Sequence, residues 1–317
     1  MIDLEEVLAQ QEPLIAAGFV SMIRNMRADV DLDVLAELLE QGRINEALNF
    51  MLQSAGNVAT ASTAAFLAAA QSTAEQLGRT LGTITIDYDT VNQAAVNAMQ
   101  QNRLELVRGF TTQQTRATHE AISSGIRDGL NPRQQALRFK NSIGLTAHQQ
   151  RAVDNFERAL RNNSRDAMGR ALVGARDARS IAAAIKNNQP IPAARLQAMV
   201  DRYRTNMIAH RASVIARTEA LRSVHEGSEA MLQQAIDDGT LEPDRIERHW
   251  FTAKDERVRS THRTMHKQIR PVGVPFVSGS GALLMRPGDS RAPASETIQC
   301  RCRVAVTIKI PALEEAG

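Results

Sequence analysis

His262, His266, Cys300 and Cys302 are the residues of this chain whose types and spacing suit metal or nucleophile chemistry. The two cysteines are the only ones among 317 residues and stand two apart, in Glu296-Thr297-Ile298-Gln299-Cys300-Arg301-Cys302. Histidines at i and i+4 share one helix face, and two thiolates on one strand face can converge with them as the nitrogen and sulfur donors that zinc favours. The spacing matches no standard zinc finger. The plainer alternative packs both cysteines in a core as small apolar groups, with His262 hydrogen-bonded across a helix–strand contact. A hydrolase would pair Cys300 or Cys302 with His262 and an acid such as Asp255 or Glu296. It would also need an oxyanion site, which a Cys-Arg-Cys strand facing a core does not supply.

These residues need elements to hold them. His249 to Thr252 reads as a strand with Trp250, the sole tryptophan, as core anchor. Residues 255–267 read as a helix with Asp255 as its N-cap, and Cys300 to Ile310 as a strand. In that strand Cys300, Cys302, Val304, Val306, Ile308 and Ile310 alternate with Arg301, Arg303, Thr307 and Lys309, so both thiols face the apolar side. Arg257 and Arg259 suit a phosphate, a partner or a surface salt bridge. Gly, Pro and Ser crowd the stretch from Pro271 to Pro293, and the whole describes a small α+β module over 240–317.

Everything upstream is helical in texture. Aromatics make up 3% of the chain and alanine is abundant, which favours helices packed through small side chains. Residues 1–82 form an acidic, then Ala/Ser/Thr-rich helical region, in which Asp31 or Asp33 caps a helix carrying Leu32, Leu35, Leu38 and Leu39. The alanine-rich part has little to bury alone and should pack on another helix or another subunit. Residues 83–239 form a basic helical region entered through a short extended segment, Thr83 to Tyr88, and punctuated at Asn131-Pro132, Gly144-Leu145-Thr146 and Gln189 to Pro192. The expected fold is mainly α, with elongated helical N-terminal and middle regions and a small C-terminal α+β module.

Charge is distributed unevenly behind a net +3: residues 1–50 carry 3 basic and 10 acidic groups, residues 101–220 carry 20 basic and 9 acidic ones. The middle region therefore has the electrostatic case for polyanions, with Arg158, Arg161, Arg165, Arg170, Arg176 and Arg179 as candidate contacts to DNA phosphates. No stacking aromatics interleave, so binding would be nonspecific, and a solvated outer helix face is the alternative. Two cysteines two apart exclude a disulfide scaffold, and no apolar run is long enough to span a bilayer. The acidic N-terminus is unlike a signal peptide, which points to a soluble protein made in the cytoplasm.

Three ordered blocks carry a family resemblance. Ile215-Ala216-Arg217-Thr218-Glu219-Ala220, the stretch from Trp250 through Asp255 and Arg259 to His262, and Glu296 to Cys302 resemble the motifs of the phage head morphogenesis family, the minor head proteins related to the F protein of phage Mu. Gly125 to Leu130, and Gly144 to Thr146 with Gln149, Val153 and Phe156, are similar to the helical region that precedes those motifs, so the likeness spans about 85–310. Some members carry a further cysteine pair after the aspartate, whereas Asp255 to His262 here contains none.

The resemblance implies a virion component present in several copies inside the capsid, near the portal vertex, acting in head assembly or in genome packaging or ejection. Its implied partners are the portal protein, packaged double-stranded DNA, and capsid or scaffold proteins. No catalysis and no cofactor follow from it, zinc at His262, His266, Cys300 and Cys302 being the one candidate. Two competitors are an ejected effector of the ADP-ribosyltransferase kind, using Arg217, a hydroxyl and Glu296, and an assembly factor lost from the mature particle. The effector reading lacks a glycine-rich nucleotide loop, since Gly279-Ser280-Gly281 has no strand–loop–helix setting. In the structural reading, Arg217 and Glu219 make internal ion pairs that fix their helix to the C-terminal module.

Overall fold

Alanine-rich and leucine-rich segments with few β-branched residues give long helices here. A computed structural model of the chain describes residues 1–43, 46, 56–81 and 93–309. The Thr83–Tyr88 segment and Ile310 lie outside the described residues. The helices are α1 (Glu5–Asp29), α2 (Leu32–Glu40), α3 (Gly56–Leu81), α4 (Gln93–Arg127), α5 (Pro132–Ser142), α6 (Ala147–Arg161), α7 (Ala175–Lys186), α8 (Ala193–Asp237) and the single turns α9 (Ser260–Arg263) and α10 (Ala294–Thr297). The strands are β1 (Ile246–Phe251), β2 (Ile269–Pro271), β3 (Phe276–Val277), β4 (Leu283–Leu284) and β5 (Arg303–Ile308). The fold is thus mainly helical with a small C-terminal antiparallel module.

The chain forms two compact units, one of Met1–Gly18, Val58–Glu105 and Ser213–Gly317, the other of Phe19–Asn57 and Leu106–Ala212. The second unit is ordered by caps and by a buried arginine. Asn131 and Thr146 each accept from the backbone N–H three residues on, and Gln134 and Gln149 return the bond to the cap's own N–H, closing two capping boxes. Asp31, rather than Asp33, caps α2, accepting from the N–H groups of Asp33 and Val34. Phe19 and Phe110 meet edge to face at 5.9 Å, and the Arg211 guanidinium lies over both rings at 5.5 and 5.3 Å. Burial lowers the Arg211 pKa to about 10. Thr146→Ala removes one capping box and is expected to cost about 1 kcal/mol, read as a lower urea midpoint with unchanged cooperativity.

In the first unit the alanine-rich helix packs against α8. Ala65, Ala69, Ala70 and Ala74 of α3 are buried, and α8 presents Gly227, Met231 and Ala235. Where Gly227 faces Phe66 the approach is so close that a Cβ would lie 2.2 Å from the Phe66 carbonyl oxygen. The same core takes Ile2, Leu77, Leu241, Ile246, Val306 and Ile308. Ile2 exchanges backbone hydrogen bonds with Val306 (2.7 and 3.0 Å), extending the β2-β1-β5 sheet by one residue, and Asp3 and Gln76 bond reciprocally at 3.0 Å. All sheet pairings are antiparallel, with Trp250 opposite Val304.

Two local expectations are corrected. The helix expected over 255–267 is the single turn Ser260–Arg263, because successive bonds here run i to i+3, as from Val258 to Asp255 and from Met265 to His262, and do not propagate. Asp255 is accordingly no helix cap: its carboxylate accepts from the Arg257 N–H and pairs with Arg301 at 2.6 Å. The strand expected from Cys300 begins at Arg303. Gln299 adopts φ +54°, and the Cys300 N–H bonds the Thr297 carbonyl, so the chain turns just before the cysteines.

Candidate functional site

The turn α9 projects His262 into the interior, and the turn after α10 delivers the cysteines to the same point. His262 is 1% exposed, Cys300 0% and Cys302 2%. Nδ1 of His262 lies 3.5 Å from the Cys300 sulfur and 3.4 Å from the Cys302 sulfur. On the other side of the ring, Nε2 stands 2.8 Å from Oε2 of Glu296, close in distance but poorly aligned as a hydrogen bond. The Trp250 indole packs edge-on against the imidazole at 5.7 Å and fills the space between turn and sheet. Trp250 itself is fully buried against Phe276, as the anchor role requires.

Glu296 is the residue that organises this interior. Ser280 Oγ donates to its Oε1 at 2.6 Å and Thr261 Oγ1 to its Oε2 at 3.0 Å. Burial works against its charge, but these hydroxyls and the adjacent His262 hold its pKa below the usual carboxylate range. The thiols form one proton-sharing pair: the hydrogen bond from Cys302 lowers the Cys300 pKa well below its ordinary value, aided by His262, while hydrogen bonding to Cys300 and burial raise that of Cys302. Cys300 Sγ also accepts the Cys302 backbone N–H at 3.4 Å.

The Arg-Thr-Glu motif of α8 docks onto the same loop. Arg217 Nε donates to the Cys300 carbonyl at 3.2 Å while its Nη1 pairs with Glu12 at 2.9 Å, and Thr218 Oγ1 accepts the Gln299 N–H at 3.1 Å. Glu219 pairs with Arg222, whose Nε reaches the Gly288 carbonyl. Arg259 donates to the Ile298 carbonyl. The three sequence blocks therefore meet around one cluster.

His266 stands apart from it: its Nδ1 accepts from the Thr252 N–H at 3.2 Å, and its ring faces Phe251. Burial, with Lys254 and Lys267 nearby, lowers its pKa. Sequence reasoning gave Glu296 the parts of a candidate acid and of a transferase glutamate, not that of a partner to the His262 ring, and gave Thr218, Thr261 and Ser280 no part in the site. Thr218 and Glu296 sit inside the motif blocks, but nothing local marks Thr261 or Ser280, which reach the site from other loops. Cys300, His262 and Glu296 also have the order of a nucleophile, base and acid. Both thiols are buried, and Cys302 borders a cavity of about 300 Å³ shared with Arg217, Phe251 and Arg301.

Among the six middle-region arginines, Arg161 pairs with Glu157 at 2.6 Å, and Arg170 lies over the Phe156 ring and bonds the Asp166 carbonyl. Arg158, Arg165, Arg176 and Arg179 are exposed and have no carboxylate at ion-pair distance among the described residues. Arg176 and Arg179 line a cavity of about 410 Å³ together with Arg195 and the Pro190-Ile191-Pro192 turn.

Residues 162–305 match the family described as Phage Mu protein F like protein. No curated protein and no solved structure matches the chain.

Proposed function

We propose, from the relation of residues 162–305 to the phage Mu F-like, head morphogenesis family, that this chain is a noncatalytic minor head protein of a tailed phage, held inside the capsid at the portal vertex. The observation that supports this best is the use to which the matched motifs are put. Arg217, Thr218, Trp250, His262, Cys300 and Cys302 all close one packed module, so the residues that mark the family are those that make a rigid unit. In this reading the module docks the protein, and the basic helices contact packaged DNA through phosphate charge. A few copies would then ease genome entry or exit.

Mass spectrometry of purified particles of the encoding phage tests the placement. The protein is expected in mature virions at a copy number near that of the portal. Its absence would overturn the placement and leave an assembly factor lost during maturation.

DNA contact has a separate test. Four phosphate contacts by Arg158, Arg165, Arg176 and Arg179 imply that affinity for random-sequence duplex falls about 100-fold between 50 and 200 mM salt. Arg176→Ala with Arg179→Ala should flatten the slope of log affinity on log salt by roughly 2, measured by fluorescence anisotropy. A wild-type affinity unchanged over that range would rule the electrostatic contact out.

A further inference from the structure

His262 uses its two ring nitrogens for different work. Glu296, itself held by Ser280 and Thr261, sits 2.8 Å from Nε2, a distance that favours the ring proton on that side and so directs the Nδ1 lone pair at both sulfurs. A carboxylate behind a histidine in this way is the usual support of a metal ligand, fixing both tautomer and ring orientation.

The donor distances agree with that arrangement. A tetrahedral zinc with Zn–S of about 2.3 Å and Zn–N of about 2.0 Å separates its nitrogen and sulfur ligands by about 3.5 Å. The separations here are 3.5 and 3.4 Å, and the three donor atoms lie within 4.8 Å of one another. A divalent ion would also compensate the two thiolates that ligate it, whose charge an interior otherwise disfavours.

We propose that His262 Nδ1, Cys300 Sγ and Cys302 Sγ bind one zinc ion, that Glu296 orients the histidine, and that a water or small anion completes the tetrahedron. His266, bonded to Thr252, takes no part. The ion joins the turn α9 to the loop ahead of β5, two segments whose only other covalent connection runs through some forty residues of chain, and so locks the module.

The test uses the full-length protein, purified under reducing conditions, loaded with zinc and then freed of excess metal. Elemental analysis is expected to give about one zinc per chain, and titration of the metal-free wild type with cobalt should produce a thiolate-to-metal charge-transfer band. Glu296→Gln should weaken zinc binding by about 10–100-fold while His266→Ala leaves it unchanged. The wild-type cobalt titration needs no altered protein, so a misfolded cysteine variant does not affect it. Zinc far below one per chain with both thiols reduced, together with no charge-transfer band, would overturn the site and leave a hydrogen-bonded core. Loss of metal in His266→Ala equal to that in His262→Ala would overturn the three-donor assignment.

Discussion

Gly227→Ala is expected to destabilise the protein by about 3 kcal/mol, at the upper end of overpacking costs. Glycine in the middle of a 45-residue helix costs about 1 kcal/mol relative to alanine, so on propensity alone the substitution should stabilise. Packing reverses the sign. The added Cβ would stand 2.2 Å from the Phe66 carbonyl oxygen, 3.0 Å from its carbon and 3.2 Å from the Ala70 nitrogen, all backbone atoms of α3. Backbone within a helix cannot swing aside as a side chain does, so α3 and α8 would have to separate. The buried alanines that let them approach would then lose contact along the seam. Gly109→Ala is the control, because its Cβ meets nothing within 4 Å in the interior of α4. It should be neutral or stabilising by up to about 1 kcal/mol. Urea unfolding of both variants decides the matter, and a Gly227→Ala midpoint equal to or above wild type would refute the close approach.

Arg286→Met should cost about 3–5 kcal/mol near neutral pH, the range for removing one partner of a buried ion pair. Arg286 is largely buried and pairs with Glu229 at 2.6 Å and with Glu226, the latter largely buried on α8. Burial opposes the arginine's charge, yet Glu229 and Glu226 raise its pKa. Burial likewise raises the Glu226 pKa, with Arg286 opposing. Without the guanidinium, the largely buried Glu226 faces the partly exposed Glu229 and takes up a proton. The loss should therefore shrink as pH falls toward 5, where that proton comes more cheaply. Adding Glu226→Gln and Glu229→Gln should restore a large part of the stability, since the stranded charges go with them. A second readout comes from His225, whose pKa burial, Arg286 and Arg217 together depress to about 3. Titration by NMR should find it higher in Arg286→Met. A cost under 1 kcal/mol, with no change at His225, would show that the cluster carries no weight.

Features of this chain that depend on neighbours within four residues were legible without coordinates. Asn131 and Thr146 announced their caps, because a side chain that satisfies an N–H three residues away needs no information from the rest of the chain. The end of the helical region near 239, close to the last residue of α8 at Asp237, and the strand around Trp250 were legible for the same reason. Asp255 had the look of a cap, but the residue that claims its carboxylate is Arg301, 46 positions away. The pairing of Ile2 with Val306 and the choice of Glu296 rather than His266 as the neighbour of His262 have no local signature.

By itself the sequence determined a helical protein with a small mixed module at its end, and motif blocks that resemble one family over part of the chain. Residue types and short periods carry that much, since propensity, capping and alternation act within a few residues. Only the tertiary structure decided that the N-terminal residues join the C-terminal module, that an alanine-rich helix finds its cover on Gly227, and that Cys300 and Cys302 meet His262 over a carboxylate. Those outcomes rest on burial and on hydrogen bonds between distant segments, which no local preference encodes and which form only when the whole core is assembled.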